Sequence, residues 1–274
     1  MTTTAVRRPT DLWFGLDAVG AGWGPCVVTI GVFDGVHRGH AQLVERAAAV
    51  ARDRGLPAVI VTFDPHPARV TGPGRDTATL STPRRRAELA GDLGVNTVLV
   101  LPFTTETART PPEQFVEQVL VDRLRAQAVV VGRNFRFGSD GSGDVDLLHR
   151  LGRTHGFTAV SVDLLHLTQT RCSSTHIRNC LANGDIAAAN QALGRPHRVE
   201  GQLLGRVLHV PPDTAMPGDG HFRGILTTVD HGPQHVDIMV NHHTAIIMNG
   251  SAPSSNYPTS TLDFIANRNA IRHR

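Results

Sequence analysis

Short, nearly continuous apolar runs alternate with amphipathic segments along the first two-thirds of the chain. The runs are rich in Val, Ile and Leu, which is typical of strands buried on both faces. They occupy residues 26–33, 58–63, 97–103, 128–132 and 157–165. Together with the helical segments between them, they predict an α/β fold with a Rossmann-like, doubly wound parallel sheet.

The segments between these runs carry helix signals. Residues 39–54 place apolar side chains on one face and stop at Gly55, residues 83–93 begin with proline and stop before glycine, and residues 112–126 also begin with proline. Proline at a helix start and glycine just beyond its end are the usual boundary residues. In such a sheet, ligands bind at the carboxyl ends of the strands, where the strand order reverses.

The sequence changes character after "LGRPHRVEG" (194–201) and becomes rich in Pro, Gly, His and Asn. We therefore predict one domain over residues 1–195 and a small, degenerate β-rich domain over residues 196–274. Within the second domain the pattern predicts a loop at 249–261 and a helix at 261–270.

Composition narrows the function classes. The chain is 40% hydrophobic with a net charge of +3, and no apolar run approaches the length of a membrane span. We expect a cytoplasmic protein with small-molecule substrates, without a nucleic-acid or membrane partner, and the oligomeric state is left open. The sequence holds no lysine, so arginine, histidine or backbone N–H groups must bind any phosphate.

The stretch "GVFDGVHRGH" (31–40) joins the first buried run to a helix. A glycine-rich turn into a helix directs backbone N–H groups and the positive end of the helix dipole at one point, which favours an anion. His37 and His40 are three residues apart, so both rings lie on one side of the helix start. Each can donate to a phosphoryl group whose charge increases during reaction. This turn is therefore the first candidate phosphate site.

Other phosphate and metal motifs are excluded, because no G-x-x-x-x-G-K-[ST] or G-x-G-x-x-G occurs and "HRGH" lacks zinc-ligand spacing. A second candidate anion site lies in "RCSSTHIRNCLANG" (171–184). Its hydroxyl residues are good caps for a helix running to Gly184, with Arg178 one turn in.

The stretch "GVFDGVHRGH" resembles the HxGH signature of the nucleotidyltransferase superfamily, in the form found in prokaryotic bifunctional riboflavin kinase/FAD synthetases. Further segments resemble that family in order and spacing, over roughly residues 25 to 205. They are "TFDPHP" (62–67), "LPFT" (101–104), "VVVGRNFRFGSDGSGDVDLL" (129–148), "CSSTHIR" (172–178) and "ALGRPHRVEG" (192–201).

The resemblance implies adenylyl transfer from ATP to FMN with Mg²⁺, and it implies three groups of residues. The catalytic group is His37, His40 and Arg178. The nucleotide and phosphate group is Gly31, Phe33, Asp34, Gly39, Asn134, Ser174 and Thr175. The flavin-side group is Phe63, Pro65, His66, Pro67, Phe135 and Phe137. No direct metal ligand is implied, since Mg²⁺ would be held through the phosphates, with Asn134 as a candidate contact.

The tail departs from that family. Its kinase domain carries a P-T-A-N stretch and a later catalytic glutamate. Here residues 205–224 lack P-T-A-N, and residues 201–274 contain no glutamate. We therefore expect no riboflavin kinase activity, and we expect the tail beyond about residue 200 to be dispensable for adenylyl transfer.

Two other functions remain open at this stage. One is a nucleotidyltransferase of a specialised pathway that uses another phosphorylated acceptor or another NTP. The other is a non-catalytic regulator that binds flavin or nucleotide, although such a protein would have no need of both histidines.

Overall fold

The computed structural model describes residues 9–72, 76–163, 166–167, 170–249 and 257–267. Contacts between residues divide the chain into two units. The first unit falls within residues 1–75 and 83–165, and the second within residues 76–82 and 166–274. The domain boundary near residue 195 stays a prediction, because by their contacts the helices of residues 174–193 belong to the second unit.

The first unit contains six parallel strands and the helices that connect them. The strands are β1 (Asp11–Phe14), β2 (Cys26–Ile30), β3 (Ala58–Asp64), β4 (Thr97–Pro102), β5 (Ala126–Gly132) and β6 (Thr158–Val162). The helices are α1 (Arg38–Arg54), α2 (Pro67–Thr71), α3 (Pro83–Asp92), α4 (Pro112–Phe115), which continues as a π-helix over Val116–Arg123, and α5 (Val145–His155).

The strand order in this sheet is β1-β4-β3-β2-β5-β6. The chain builds outward from β2 through β3 to β4 on one side, and from β5 to β6 on the other. The order therefore reverses between β2 and β5, and the loops that follow these two strands diverge at their carboxyl ends. A crevice at such a reversal is where open α/β sheets bind ligands.

Alternate residues of each strand enter two separate apolar layers. Val28, Val61 and Val129 pack on one face of the sheet, together with residues of α4, its π-helical extension and α5. Val27, Ile60 and Val130 pack on the other face, together with α1 and α3. Both faces are covered, which explains why these strands read as continuous apolar runs.

In its described residues, the second unit consists of two helices, a two-stranded hairpin and a six-stranded barrel. The hairpin is β7 (His166–Leu167) and β8 (Thr170–Arg171), and the helices are α6 (Ser174–Ala182) and α7 (Ile186–Leu193). The barrel strands are β9 (His197–Leu204), β10 (Val207–His209), β11 (Gly220–Thr228), β12 (Gln234–Asn241), β13 (Thr244–Ile247) and β14 (Tyr257–Asn267). They close antiparallel in the order β10-β13-β12-β11-β14-β9.

The predicted fold class is confirmed: a parallel sheet flanked by helices precedes a β-rich unit. The helix predicted at 261–270 is wrong, because residues 257–267 form a strand in which Leu262 and Phe264 alternate into the barrel core. The loop predicted at 249–261 is wrong over residues 257–261 for the same reason. Its residues 250–256 lie outside the described part of the chain.

The run predicted as a strand over 26–33 ends earlier, at Ile30, because Phe33 takes a left-handed conformation that no strand accommodates. Residues 164–165 of the run predicted at 157–165 lie outside the described residues. Among the helices of the described residues, none has the length and apolar character to cross a membrane.

Candidate active site

The loop between β2 and α1 has an unusual backbone. Phe33, Gly35 and Val36 all have positive φ angles, of 49°, 76° and 37°. Only glycine adopts this region without cost, and a β-branched residue such as valine is a clear outlier there. Such strain persists where the surroundings fix it, and it is concentrated at functional sites. The loop that carries the predicted histidines is therefore a built feature of the fold.

Packing beneath the loop holds this conformation. The Phe33 side chain is buried, and a Cβ atom at Gly31 would come within 3.1 Å of its ring. Asp34 is also buried, with 3% of its surface exposed. The predicted residues Gly31, Phe33 and Asp34 thus shape the loop from within.

His37 begins helix α1 as its capping residue. Its Nδ1 accepts a hydrogen bond of 3.3 Å from the backbone N–H of His40. A ring nitrogen that accepts cannot carry a proton, so the proton of neutral His37 is on Nε2. The cap therefore fixes the tautomer and leaves Nε2–H as a donor.

The two histidine rings stack on each other. Their centroids are 3.6 Å apart at an interplanar angle of 18°, and the His40 ring also meets the edge of Phe33 at 5.2 Å. His37 is 5% exposed, and Gly39 between the two histidines is buried. The structure therefore brings both imidazoles to one side of the helix start, as the spacing predicts.

His40 is held in its neutral form. Burial lowers the pKa of His40 well below its ordinary value, and the positive charges of His37 and Arg86 lower it further. Its Nδ1 is buried and has no hydrogen-bond partner among the described residues. At neutral pH this ring is a neutral imidazole, which suits a hydrogen-bond donor to an oxyanion better than a proton source.

Arg86 on α3 lies at the same edge of the sheet, and the sequence pattern did not single it out. Its guanidinium is 5% exposed, and Nη1 donates to the carbonyl of Val32 at 3.3 Å, to Oγ1 of Thr62 at 3.2 Å and to the carbonyl of Phe63 at 3.4 Å. In "PRRRAEL" it is one of three consecutive arginines, a pattern typical of an exposed helix surface. The only sequence signal is that it precedes the buried Ala87, Leu89 and Ala90 at helical spacing.

The flavin-side residues after β3 form a short rigid turn. His66 caps α2 by accepting at Nδ1 from the N–H of Ala68 at 3.1 Å, and Pro67 is the first residue of that helix. The Phe63 ring packs edge to face against Phe103 at 5.6 Å. Phe103 was missed as a site candidate, although its position directly after β4 at the same sheet edge would have indicated it.

The turn after β5 carries the remaining first-unit candidates. Asn134 is exposed, and the rings of Phe135 and Phe137 stack at 5.4 Å. Phe137 is buried in the core and lies 6.2 Å from the ring of Phe115. Phe137 therefore serves packing, whereas Phe135 and Asn134 keep exposed surface at the point where the strand order reverses.

Ser174, Thr175 and Arg178 lie in the second unit, on helix α6. Ser173 caps this helix by accepting at Oγ from the N–H of His176 at 3.2 Å, and Thr175 is exposed. Arg178 is 4% exposed, and its Nε donates to the carbonyl of Ala78 at 2.6 Å. The capped helix is confirmed, while the role of these residues in binding a triphosphate stays a prediction.

Across the residues that the structure describes, no three His, Cys, Asp or Glu side chains are grouped so that they could hold a metal ion. At one edge of its sheet the first unit offers hydrogen-bond donors, with aromatic rings beside them. Such a site suits a phosphorylated planar ligand.

Comparison with known proteins identifies the family. The FAD synthetase family model matches residues 21–176, which include the loop with both histidines and the start of α6. The chain belongs to the FAD synthetase family. The bifunctional riboflavin kinase/FMN adenylyltransferase of Pseudomonas fluorescens is 40% identical over 179 residues, which cover 65% of this chain and 57% of the relative. The protein of the same description from Listeria monocytogenes is 32% identical over 219 residues, which cover 77% and 67%.

The chain covers about three-fifths of the length of the Pseudomonas fluorescens and Escherichia coli relatives, 57% and 61%. Among solved structures, a Streptococcus pneumoniae protein described as a macrolide-efflux protein superposes with a TM-score of 0.81 at 22% identity. The match covers 94% of this chain and 99% of that one. This likeness shows that the fold of this FAD synthetase family member, including its barrel, occurs in another protein.

Proposed function

We propose that the protein transfers the adenylyl group of ATP to FMN, giving FAD and pyrophosphate. The observation that carries the proposal is the stacked pair of His37 and His40 at the start of α1, in a member of the FAD synthetase family. A phosphate oxygen of FMN attacks the α-phosphorus of ATP. The new P–O bond joins FMN to AMP, and the bond from the α-phosphorus to the bridging oxygen breaks, so that pyrophosphate leaves with the electron pair.

This reaction needs little proton chemistry from the protein. The FMN phosphate is already ionised at neutral pH, so no general base is required, and catalysis rests on positioning and charge stabilisation. His37 donates through Nε2–H to the α-phosphate oxygens as negative charge increases on them. His40 stacks on that ring and, being neutral, adds a second imidazole donor without competing for a proton.

The other candidate residues contact the remaining parts of the two substrates. Ser174, Thr175 and Arg178 bind the β- and γ-phosphates through hydroxyl, backbone N–H and guanidinium groups. Mg²⁺ enters as part of the MgATP substrate, held through the phosphates and near Asn134. Phe63, Phe103 and Phe135 offer rings to the isoalloxazine, while Pro65, His66 and Pro67 hold their loop in place.

We also propose that the protein does not phosphorylate riboflavin. That reaction needs a base for a hydroxyl group, which is protonated at neutral pH, and a cradle for metal and phosphate. Residues 205–224 lack the P-T-A-N stretch that provides the cradle in the bifunctional family.

One experiment tests both proposals. The protein is incubated with Mg²⁺, each of the four NTPs in turn, and FMN or riboflavin, and chromatography follows pyrophosphate and new nucleotides. We expect FAD and pyrophosphate from ATP with FMN, and no FMN from riboflavin. Product with another NTP or a failure to use FMN would contradict the first proposal, and FMN formed from riboflavin would contradict the second.

A further inference from the structure

Arg86 is buried, unlike an ordinary arginine on the polar face of an amphipathic helix. It lies one turn into α3, and its guanidinium is almost fully buried. Burying a guanidinium is costly unless its donors and its charge are both matched. Its Nε has no hydrogen-bond partner among the described residues, so the groups that match its Nη1 and its charge indicate what the residue does.

Its donors join two loops of the site. Nη1 reaches the carbonyl of Val32, which opens the histidine loop after β2, and the carbonyl of Phe63, at the end of β3 before the flavin-side turn. Between them lies Thr62, whose Oγ1 accepts from Arg86 and donates to the Val32 carbonyl at 2.8 Å. One guanidinium nitrogen thus links the adjacent ends of two neighbouring strands.

Its charge is matched by acids of the same two loops. Asp34 in the histidine loop and Asp64 at the end of β3 both favour the charged form of Arg86, and so oppose the lowering of its pKa by burial. Asp34 is itself buried, and helix α3 packs against the turn that contains it. The cation is therefore balanced across both loops rather than by a single partner.

We propose that Arg86 is a positioning residue for adenylyl transfer: it fixes the histidine loop against the flavin-side loop. The inference rests on the proposed function for its kinetic part only. The left-handed conformations of Phe33 and Val36 make the histidine loop costly to hold, and Arg86 supplies a contact at the carbonyl of Val32. Burial of the His40 ring is the largest cause of its low pKa, and the positive charges of His37 and then Arg86 add to it.

The kinetic test compares three variants of the full chain. Arg86→Met keeps length and apolar bulk but removes the charge and the donors, and Arg86→Lys keeps the charge. Arg84→Met is the control, since Arg84 is 83% exposed on the same helix. We expect Arg86→Met to lower kcat by about 100-fold through loop misplacement. Arg86→Lys should restore a large part of that loss, and Arg84→Met should behave as the unaltered protein.

A second readout requires no activity. In protein labelled with ¹³C at histidine, NMR follows the titration of each ring, with His40→Gln identifying the His40 signal. We expect Arg86→Met to raise the pKa of His40 toward its ordinary value of about 6.5, because a displaced loop exposes the ring whose burial lowers that pKa. Arg86→Lys should leave that pKa low. Far-UV circular dichroism establishes that each variant is folded.

The outcomes separate this inference from the proposed function. If the unaltered protein makes no FAD, the proposed function fails, and the histidine titration still tests Arg86. A folded Arg86→Met with an unchanged His40 titration would overturn the inference. So would an Arg86→Lys variant as impaired in kcat as Arg86→Met. If Arg86→Met does not fold, the Lys variant decides, since only retention of both the low pKa and substantial kcat supports the proposal.

Discussion

The two helix starts that the sequence marks as anion sites, those of α1 and α6, are built differently. Helix α1 is entered through left-handed residues and capped by an imidazole, whereas α6 is entered through extended backbone at Ser173 and capped by its hydroxyl. A serine cap is the ordinary, unstrained solution. A strained loop with a buried imidazole costs stability, and such strain is concentrated at functional sites. The difference is the ground on which we propose catalysis at α1 and phosphate binding at α6.

The largest effect is expected when the imidazoles are removed while the start of α1 is kept. Asparagine is as good a cap as serine, so His37→Asn preserves the start of α1 and removes the Nε2 donor. We expect a loss in turnover of about 10²-fold or more for His37→Asn and for His40→Ala, with a smaller change in ATP affinity. Steady-state kinetics measures turnover and ATP titration measures affinity. Replacement of the exposed His155 by alanine is the control. Equal losses in binding and turnover would contradict the catalytic assignment of α1.

Arg178 tests the other half of the comparison. If it binds the β- and γ-phosphates, Arg178→Ala weakens ATP binding by roughly 2 kcal/mol or more, because a charge-assisted contact is lost. Calorimetric titration with MgATP measures this, and Arg223→Ala on the barrel serves as control. The bond from Arg178 to the carbonyl of Ala78 also predicts a loss of thermal stability. A fall in stability with unaltered ATP affinity would make Arg178 a purely structural residue.

The cap of α6 gives a smaller effect. Ser173→Ala removes the hydroxyl that accepts from the N–H of His176, and we expect a loss of about 1 kcal/mol in the free energy of unfolding. Urea denaturation measures it, and Ser173→Asn should recover most of the loss. A cost well above this for an ordinary cap would show that α6 starts under more constraint than its backbone indicates.

The smallest effect is the pH dependence that His40 gives to stability. Its folded pKa lies below the unfolded value of about 6.5, so the unfolded state binds more protons as pH falls through 6.5. Its contribution is therefore fully present above pH 6.5 and decreases below it. His40→Gln should flatten the decline in unfolding free energy between pH 6.5 and 5. An unchanged slope would mean that His40 titrates normally in the folded protein.

The parts of this molecule that local signals specify were predictable. The apolar runs at β2 to β5 are continuous because the sheet is covered on both faces. The serines at the start of α6 predict its cap. Strand β1 was not predicted, because four residues are too few to show a pattern. Strand β14 was mistaken for a helix because its alternating pattern begins among Pro and Ser residues. Arg86 could not be found, since its role depends on carbonyls 23 to 54 residues away that only the folded sheet brings to it.

The placement of residues 76–82 bears on how the chain is made. This segment belongs to the second unit, yet residues 83–165, which follow it, belong to the first. Thr79 donates through its N–H to the carbonyl of Asp213 and accepts from the N–H of Ala215, and Leu80 is buried in the same core as Ile177 and Phe264. During synthesis, more than a hundred further residues must therefore be added before Asp213 and Ala215, the partners of Thr79, are present.

We therefore expect the second unit to be completed only after residue 215 has been made, by closure of a long loop, and non-local closure slows folding. A chain cut at Val199 would lack the partners of Thr79 and the barrel side of the core that α6 and α7 share. The dispensability of the tail for adenylyl transfer stays a prediction. The shared core adds an expectation for the cut chain: α6 lacks part of its packing, so limited proteolysis cleaves the chain there first. Residues beyond 199 thus supply backbone partners of the early segment at 76–82, namely the carbonyl of Asp213 and the N–H of Ala215.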